Sequence, residues 1–398
     1  MNDEPPVNPN NWLHHALVGL HAWSKIPSWV LAAGIAVIAT LIGWAWRLAH
    51  SGGLAQTMAI TWALFVGADW VWLYALPRLK LSFGPVKPPL IGLIAVRLCI
   101  SLGALLTPLL GVEPPYSGII AALLHAALSV AIWYATGIEP FRLGVTHLEL
   151  HSRKLEAGRR VRLVHLSDLH IERLTRRERE LLARVNALHA DYILLTGDYL
   201  NFSYIGEARA VADARRVLGQ LQARKGIFAV RGTHQVDPNA LLPVLFAGTS
   251  IRWLRSEHVT TGQKGRRMTF AGASCTREPD IDVPAVERAL SGKPDDVFTV
   301  LLYHTPDLVA QAAEQGVDLY LAGHTHGGQL RLPVYGALMT ATEVGKQYEM
   351  GRYDLDGLTL YVSRGIGMEG MAAPRARFMC PPEIVCIDVL GGTDEHPI

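Results

Sequence analysis

Charged side chains are scarce in the first third of the sequence. The chain of 398 residues has 37 Lys and Arg and 35 Asp and Glu, and 62 of these 72 charges follow residue 138. Between residues 28 and 138 the charged residues are Arg47, Asp69, Arg78, Lys80, Lys87, Arg97 and Glu113. Half of the residues are hydrophobic. These features exclude both a disordered chain and a single soluble domain of uniform composition.

Disulfide spacing, excess positive charge and several common motifs are also lacking. The four cysteines show no framework spacing, which excludes a disulfide scaffold and is compatible with a reducing compartment. A net charge of +2 excludes a strongly basic nucleic-acid binder. Without a P-loop, a dinucleotide fingerprint or a serine nucleophile elbow, the sequence does not indicate a kinase, a dehydrogenase or a serine hydrolase. The acidic first residues predict no cleavable signal peptide.

Four long apolar runs predict membrane-spanning helices. A hydrocarbon core of about 30 Å requires about 20 apolar residues in a helix. The runs of this length are Trp29–Trp46, Leu54–Leu76, Leu90–Leu110 and Ile119–Ile138. Before them, Trp12–Trp23 has leucines at helical spacing and is predicted to lie in the membrane interface. Its histidines are expected to be solvated rather than bound to a metal.

Basic residues in the flanking segments predict the orientation of these helices. The loop between the second and third runs contains Arg78, Lys80 and Lys87, and the segment after the fourth run is also basic. The other two loops contain one basic residue between them. Since Lys and Arg favour the cytoplasmic side, the C-terminal part of the chain is predicted to be cytoplasmic.

Asp69 and Arg97 lie within the predicted membrane spans. Isolated charges are costly in hydrocarbon, so the two are expected to pair or to face the interior of the bundle. A transport pathway that uses them together with His125 is an alternative role for the helices. Anchoring of the C-terminal part is the simpler role and the one we predict.

After residue 160, apolar strand-like runs alternate with helical segments. The predicted strands are Val161–Leu166, Tyr192–Leu195, Ile227–Val230, Met268–Ala271, Val297–Tyr303, Leu319–Ala322, Leu358–Val362 and Ile384–Val389. Between the first two, Thr175 and Glu178 form a predicted capping box at the start of an amphipathic helix. The alternation indicates an α/β or mixed sandwich core.

Polar residues of the kind that bind metals follow five of these strands. In chain order they are Asp168, His170, Asp198, Thr233, His234, His304, His324 and His326. Side chains two residues apart on an extended backbone point the same way, so the Asp-x-His and His-x-His pairs can each chelate one site. Mixed carboxylate and imidazole ligation suits Mn, Fe or Zn, and the lack of thiolates argues against a structural zinc site.

The ordered motifs DLH, GD, GTH, H and GHTH resemble the Asp-x-His, Gly-Asp, Gly-Asn-His, His and Gly-His-x-His signature of calcineurin-like metallophosphoesterases. The resemblance extends from Val161 to Val389. The segments GHTHGGQLRLP, SRGIG and RFMCPPEI are similar to the bacterial membrane-associated phosphodiesterase branch. This likeness implies a four-layer αββα sandwich with two divalent metal ions, Mn²⁺ in the first place and Fe or Zn as alternatives. The predicted organisation is a tail (1–27), four transmembrane helices (28–138), a linker with a first strand (139–160), a metallophosphoesterase domain (161–392) and a tail (393–398).

The resemblance also implies a role for each motif. The first metal would be bound by Asp168, His170, Asp198 and His326, and the second by Asp198, His304 and His324, with Asp198 bridging. His234 would contact the phosphate and protonate the leaving group. A hydroxide that bridges the ions would be the nucleophile.

Two positions depart from the family pattern. Thr233 stands where the family has a metal-binding asparagine, and Gln235 where an acidic residue is usual. A threonine hydroxyl is a shorter and poorer ligand, so the second metal is expected to bind more weakly, to take water as a ligand, or to be a different ion. Three arginines, Arg364, Arg375 and Arg377, are candidates for gripping a substrate phosphate.

The sequence therefore predicts a membrane-anchored, metal-dependent hydrolase of a phosphodiester or a pyrophosphate. The short segment between the fourth apolar run and the domain favours a substrate at the bilayer surface, such as a phospholipid or a nucleotide-linked lipid. No nucleic-acid partner is expected. Two alternatives stay open: a phosphoesterase-fold sensor with weakened activity, and a regulatory domain attached to a transporter.

Overall fold

The computed structural model describes residues 19–50, 52–355 and 357–392, which form two compact units. The helical unit contains the described residues up to Ile138 together with Gly370–Arg375. The α/β unit contains Glu139–Glu369 and the described residues from Ala376 onward. Most of the stretch predicted to lie in the membrane interface falls outside the described residues, and its end forms a 3₁₀ turn at Ala22–Lys25.

Four long helices form the helical unit. They are α1 (Ser28–Ala49), α2 (Gly52–Ala75), α3 (Lys87–Leu105) and α4 (Pro114–Gly137). All four are long and apolar enough to cross a membrane, which confirms the prediction of four transmembrane helices. Helix α3 ends before its predicted boundary because Pro108 cannot continue it, and a 3₁₀ turn follows.

Asp69 of α2 and Arg97 of α3 pair inside the bundle, as predicted. The Arg97 Nε and Nη2 atoms donate to the two Asp69 carboxylate oxygens at 2.6 and 2.8 Å. Arg97 also donates to the His125 carbonyl oxygen at 3.0 Å and to the Ser129 hydroxyl at 2.7 Å, both in α4. The buried charges therefore neutralise each other and join three helices.

Fourteen strands form the described sheets of the α/β unit. They are β1 (Gly144–Ser152), β2 (Arg160–Leu166), β3 (Tyr192–Leu195), β4 (Gly226–Ala229), β5 (Ile251–Trp253), β6 (Glu257–Thr261), β7 (Met268–Gly272), β8 (Phe298–Leu302), β9 (Leu319–Ala322), β10 (Arg331–Leu332), β11 (Gly336–Ala337), β12 (Gly351–Leu355), β13 (Leu358–Val362) and β14 (Glu383–Gly391). The helices of this unit are α5 (Arg176–Ala187), α6 (Ala208–Leu218), α7 (Leu242–Phe246), α8 (Pro279–Leu290) and α9 (Val309–Glu314). All eight predicted strands are present, with bounds within two residues of those predicted.

The strands form two six-stranded sheets and one short hairpin. The first sheet has the order β1-β14-β2-β3-β4-β5, and the second has the order β12-β13-β9-β8-β7-β6. Strands β2 to β5 are parallel, as are β7, β8, β9 and β13. Strands β10 and β11 form the separate antiparallel hairpin.

The two sheets pack face to face, with helices on both outer faces. Successive residues of a strand alternate between the faces. Tyr192 and Leu194 of β3 lie in the core between the sheets, whereas Ile193 and Leu195 pack in the core that includes α5 and α6. A third core joins the second sheet to α8 and α9. The predicted αββα sandwich is therefore confirmed.

Candidate metal centre

The predicted metal ligands lie in loops at the carboxyl ends of parallel strands. Asp168 and His170 follow β2, and Asp198 follows β3, in the first sheet. His304 follows β8, and His324 and His326 follow β9, in the second sheet. Both sheets thus supply ligands to one end of the sandwich.

The backbone of these loops is unusual. Five of the six residues have φ in the left-handed region: Asp168 (51°), His170 (38°), Asp198 (56°), His324 (68°) and His326 (50°). This region is rare for residues other than glycine, and such strain concentrates at functional sites. A Cβ atom on Gly232 would collide with Asp198, so glycine allows the loop after β4 to lie directly against the loop after β3.

Asp168, His170 and His326 form a first buried triad whose ligand atoms all lie within 4.8 Å of one another. The Nε2 atoms of His170 and His326 are 3.1 Å apart, and His326 Nε2 is 3.6 Å from Asp168 Oδ1. Two imidazole nitrogens this close need a proton or a cation between their lone pairs. The triad therefore has the donor set of a metal site.

Asp198, His304 and His324 form a second triad. His304 Nε2 is 3.3 Å from Asp198 Oδ2, and the same oxygen is 3.7 Å from His170 Nε2 of the first triad. The Thr233 hydroxyl lies 3.4 Å from both Asp198 Oδ2 and His324 Nδ1. Asp198 thus lies at the junction of the two triads, and the Thr233 side chain borders the second one.

Outer hydrogen bonds orient two of the imidazoles for ligation. His304 Nδ1 is 2.6 Å from the Thr196 carbonyl oxygen, and His324 Nε2 is 3.1 Å from the Ala341 carbonyl oxygen. A carbonyl accepts only from a protonated nitrogen, so in the neutral form of each ring the other nitrogen presents its lone pair to the site. These residues therefore fit a divalent metal.

Burial sets the ionisation of several of these groups. It is the main reason that the pKa values of His324 and His326 lie well below the ordinary value. Neutral imidazole is the form that binds metals. Burial opposes ionisation of Asp198, but the neighbouring His304 and His170 more than offset this and lower its pKa. Asp198 is thus kept as a carboxylate.

Asp237 is a structural residue of the site that the sequence pattern did not reveal. Its buried carboxylate accepts hydrogen bonds from the backbone N–H groups of Asp198 (2.6 Å), Tyr199 (3.1 Å) and Gly232 (3.0 Å). It therefore fastens the loops after β3 and β4 together. Burial, followed by the charge of Asp198, raises the pKa of Asp237 to about 7. The available signal was an acidic residue two positions after Gln235, since the family usually has an acidic residue at position 235 and this chain does not.

The other predicted site residues have different surroundings. His234 is buried in the loop after β4, beside Thr233. Arg364 pairs with Glu383 at 2.7 Å, and its side chain is 22% exposed. Arg377 is fully buried and donates to the Gly367 carbonyl oxygen.

Arg375 belongs to the helical unit and donates to the Met371 and Ala373 carbonyl oxygens. Of the three predicted arginines, Arg364 thus has the most accessible side chain in the α/β unit. Substrate contact of the arginines stays a prediction.

A four-layer sandwich with two adjacent carboxylate–imidazole triads at its strand ends is the architecture of a metal-dependent phosphoesterase. The sequence profile of the calcineurin-like phosphoesterase family matches residues 161–328. The metallophosphoesterase YkuE of Bacillus subtilis, itself uncharacterised, is 30% identical over 229 residues, which cover 56% of this chain and 77% of the relative. The chain belongs to the calcineurin-like phosphoesterase family, whose members are hydrolases.

Two further relatives match a similar share of the chain. The phosphodiesterase YaeI of Escherichia coli is 27% identical over 238 residues, which cover 58% of this chain and 82% of YaeI. A transmembrane protein with a metallophosphoesterase domain from Danio rerio is 29% identical over 226 residues, or 53% of this chain and 49% of that protein. These matches, together with α1 to α4, identify a membrane protein with a metallophosphoesterase domain.

Proposed function

We propose that this chain is a membrane-anchored phosphoesterase that uses two divalent metal ions to hydrolyse a phosphodiester or a pyrophosphate. The observation that supports this most is the position of Asp198 Oδ2, which lies within 3.7 Å of an imidazole nitrogen from each triad. Two carboxylates and four imidazoles suit Mn²⁺, with Fe or Zn as alternatives.

The chain's own residues hold and orient the reacting groups. When bound, two such ions would offset the charge of the phosphate and lower the pKa of the attacking water. Asp198 presents its carboxylate to both triads, and Asp237 fixes the backbone on which Asp198 lies. We assign His234 to contact with the phosphate and to protonation of the leaving oxygen.

The substrate is proposed to be a phosphoester at the bilayer surface, such as a phospholipid or a nucleotide-linked lipid. Helix α4 ends at Gly137, and β1 of the first sheet begins at Gly144. The shortness of this connection is the observation that favours a membrane-bound substrate over a soluble one. Soluble nucleotides that are hydrolysed far faster than every lipid phosphoester offered would contradict this assignment.

The α/β unit is proposed to lie in the cytoplasm, because the loop predicted on its side of the membrane contains Arg78, Lys80 and Lys87. Cysteines placed at Lys80 and at Val112 of the opposite loop test this in intact cells. We expect an impermeant thiol reagent to label the cysteine at 112 and not the one at 80. The reverse pattern would place the domain outside.

The activity is tested on the full chain in detergent. Bound metals are counted, and hydrolysis of a chromogenic phosphodiester is followed with added Mn²⁺. We expect Asp198→Ala to lose metal and activity. His234→Ala should keep its metals while the rate falls by about 10²–10⁴-fold, the usual contribution of a general acid.

Two exposed positions supply matched controls. Asp295 is fully exposed, and the His151 side chain is 52% exposed, so replacement of either by alanine should leave metal content and rate unchanged. Wild-type protein that binds fewer than two metals and hydrolyses no phosphoester would instead favour the sensor alternative. Movement of a solute across the membrane that depends on Asp69 and not on Asp198 would favour the transporter alternative.

A further inference from the structure

The hairpin formed by β10 and β11 exposes a cluster of apolar side chains. Eight large hydrophobic residues are exposed among the described residues of the α/β unit, and five of them fall between residues 332 and 339. These five are Leu332, Val334, Tyr335, Leu338 and Met339, and Val334 is as exposed as in an extended chain, at 109%. Exposed apolar side chains concentrated in one short segment differ from the single exposed residues that are ordinary on protein surfaces.

The chain holds this hairpin in a defined shape. Strands β10 and β11 pair through Arg331 with Ala337 and through Leu332 with Gly336. At the tip, Lys346 Nζ lies 3.5 Å from the centre of the Tyr335 ring and donates to the Tyr335 carbonyl oxygen. The apolar side chains are therefore presented by an ordered element rather than by a loose loop.

Val334 itself is held in a strained conformation. Its φ is 66°, in the left-handed region that a β-branched residue rarely adopts. The Tyr335 N–H donates to the Pro333 carbonyl oxygen at 2.7 Å and closes the turn around it. The turn thus keeps the most exposed apolar side chain of the unit at its outermost point despite the strain.

The hairpin adjoins the candidate metal centre. Arg331 at its base donates to the Gly327 carbonyl oxygen at 2.8 Å and pairs with Glu349 at 2.8 Å. Gly327 directly follows His326 of the first triad. A surface that receives the hairpin tip would therefore lie beside the residues proposed to bind the metals.

The lipid bilayer is the apolar partner considered for the hairpin, because the chain's own helices are suited to cross one. The seven-residue step from Gly137 at the end of α4 to Gly144 at the start of β1 spans at most about 25 Å. No charged residue occurs from Leu332 to Thr342, and Lys346 lies against the Tyr335 ring at the tip. Tyrosine, together with lysine or arginine that reaches toward the headgroups, is typical of membrane interfaces.

We propose that residues 332–339 insert into the interfacial layer of the membrane that holds the chain's own helices. The insertion brings the metal centre to the level of the lipid headgroups, where a lipid phosphoester reaches it without leaving the bilayer. This deepens the proposed function and rests on it for the identity of the substrate. The membrane contact itself is independent of catalysis.

The contact between the hairpin and the membrane is tested with a fluorescent probe whose depth in the bilayer is measured. The full chain is reconstituted into lipid nanodiscs, with one chain in each disc. Cys99, the one exposed cysteine of the described chain, is replaced by serine, and a nitrobenzoxadiazole label is placed on Val334→Cys. The matched control is Val244→Cys, an exposed valine (45%) on α7. We expect lipids with a spin label near the headgroup to quench the probe at 334 at least twofold more than the probe at 244.

Two results would overturn the insertion. Equal quenching of both probes by iodide in the water phase would place the hairpin in solvent. A probe at 334 shielded from iodide and from the spin-labelled lipids alike would place the hairpin against protein. Neither readout requires an active enzyme.

A second variant tests the consequence for catalysis. In Val334→Asp, we expect hydrolysis of a phosphodiester lipid in vesicles to fall at least tenfold, while hydrolysis of a soluble chromogenic diester is unchanged. An equal loss on both substrates would contradict a role at the membrane. Absence of all hydrolysis in the wild-type chain would reject the proposed function, and the probe depth would still decide the insertion.

Discussion

Thr233 occupies the position where the metal-binding motif of the family has asparagine. Its hydroxyl is 3.4 Å from both Asp198 Oδ2 and His324 Nδ1, so the side chain reaches the second triad. We expect Thr233→Asn to raise affinity for the second metal about tenfold, the lower end of the effect of changes around metal ligands. Thr233→Val should lower it, because it removes the oxygen.

Titration of the metal-free chain with Mn²⁺ measures this difference. Thr261→Asn on the edge strand β6 is the control, since it changes the same residue type away from the centre. Identical second-site affinity in the wild-type, asparagine and valine forms would show that the position 233 side chain is no ligand.

The sequence predicted the clustered residues because each directly follows an apolar run that forms a strand. Asp168 and His170, for example, come straight after the buried strand β2. Asp237 could not be found in this way, because its three N–H partners include two from the loop after β3, almost 40 residues earlier. Its role becomes visible only when the loops after β3 and β4 are in contact.

At the scale of elements, the Asp69–Arg97 pair connects α2 to α3 inside the bundle. Both side chains are almost fully buried, at 3% and 0% exposure. Removal of one partner leaves an uncompensated buried charge, so we expect Asp69→Ala to lower the free energy of unfolding by about 3–5 kcal/mol. The double replacement Asp69→Leu with Arg97→Leu should cost less than the single change.

Unfolding of the bundle by increasing sodium dodecyl sulfate in mixed micelles measures this loss. Glu113→Gln, at an exposed position before α4, is the matched control and should have no effect. A double variant less stable than Asp69→Ala would contradict the argument from uncompensated charge.

Strands β2 and β14 are joined by an ion pair whose strength depends on pH. Arg162 donates to both Asp388 carboxylate oxygens at 2.8 Å, and these hydrogen bonds lower the pKa of Asp388. A carboxylate with a lowered native pKa stabilises the fold above its unfolded pKa of about 3.9, and this contribution is lost as the pH falls through the native pKa.

Thermal unfolding at pH 7 and at acidic pH tests this pair. We expect Asp388→Asn to lose about 1 kcal/mol of stability at pH 7, as partly exposed pairs do. The deficit should shrink once the pH falls below about 4, the ordinary pKa of aspartate. Asp296→Asn, at an exposed position, should show no deficit at either pH. A deficit that is constant with pH would exclude the ion pair as its cause.

The strands with a buried apolar run were predicted, and most of the edge strands were not. Strand β3 reads YILL and is buried throughout, whereas β6 reads EHVTT and β12 reads GRYDL, with half-exposed or alternating burial. An edge strand has one partner and need not be apolar, so its pattern resembles that of a loop. Its place is set by pairing with a distant strand rather than by its own residues.

At the scale of the whole molecule, the α/β unit begins at Glu139, two residues after α4 ends at Gly137. The Glu139 carboxylate accepts hydrogen bonds from the Met379 and Cys380 N–H groups, and Cys380 Sγ donates to the His326 carbonyl oxygen at 3.1 Å. These contacts, and the pairing of β1 with β14, place residues 139–152 within the α/β unit.

Fragments without the helices test this boundary. We expect residues 139–398 to give a monomer that unfolds cooperatively and binds metal. Residues 153–398, which lack β1, should aggregate, because β14 then becomes an exposed edge of nine residues. Equal melting temperatures and solubility of the two fragments would show that β1 is dispensable.

The strand order also constrains how the polypeptide is made. Strand β14 is translated after the other thirteen strands, yet it lies between β1 and β2, which emerge from the ribosome long before it. Until β14 has been synthesised, β1 has no partner strand and β2 pairs only with β3. The first sheet therefore has an unpaired edge at β2 during this time. A nascent chain can therefore insert its helices into the membrane early, while the phosphoesterase unit is completed only near the end of translation.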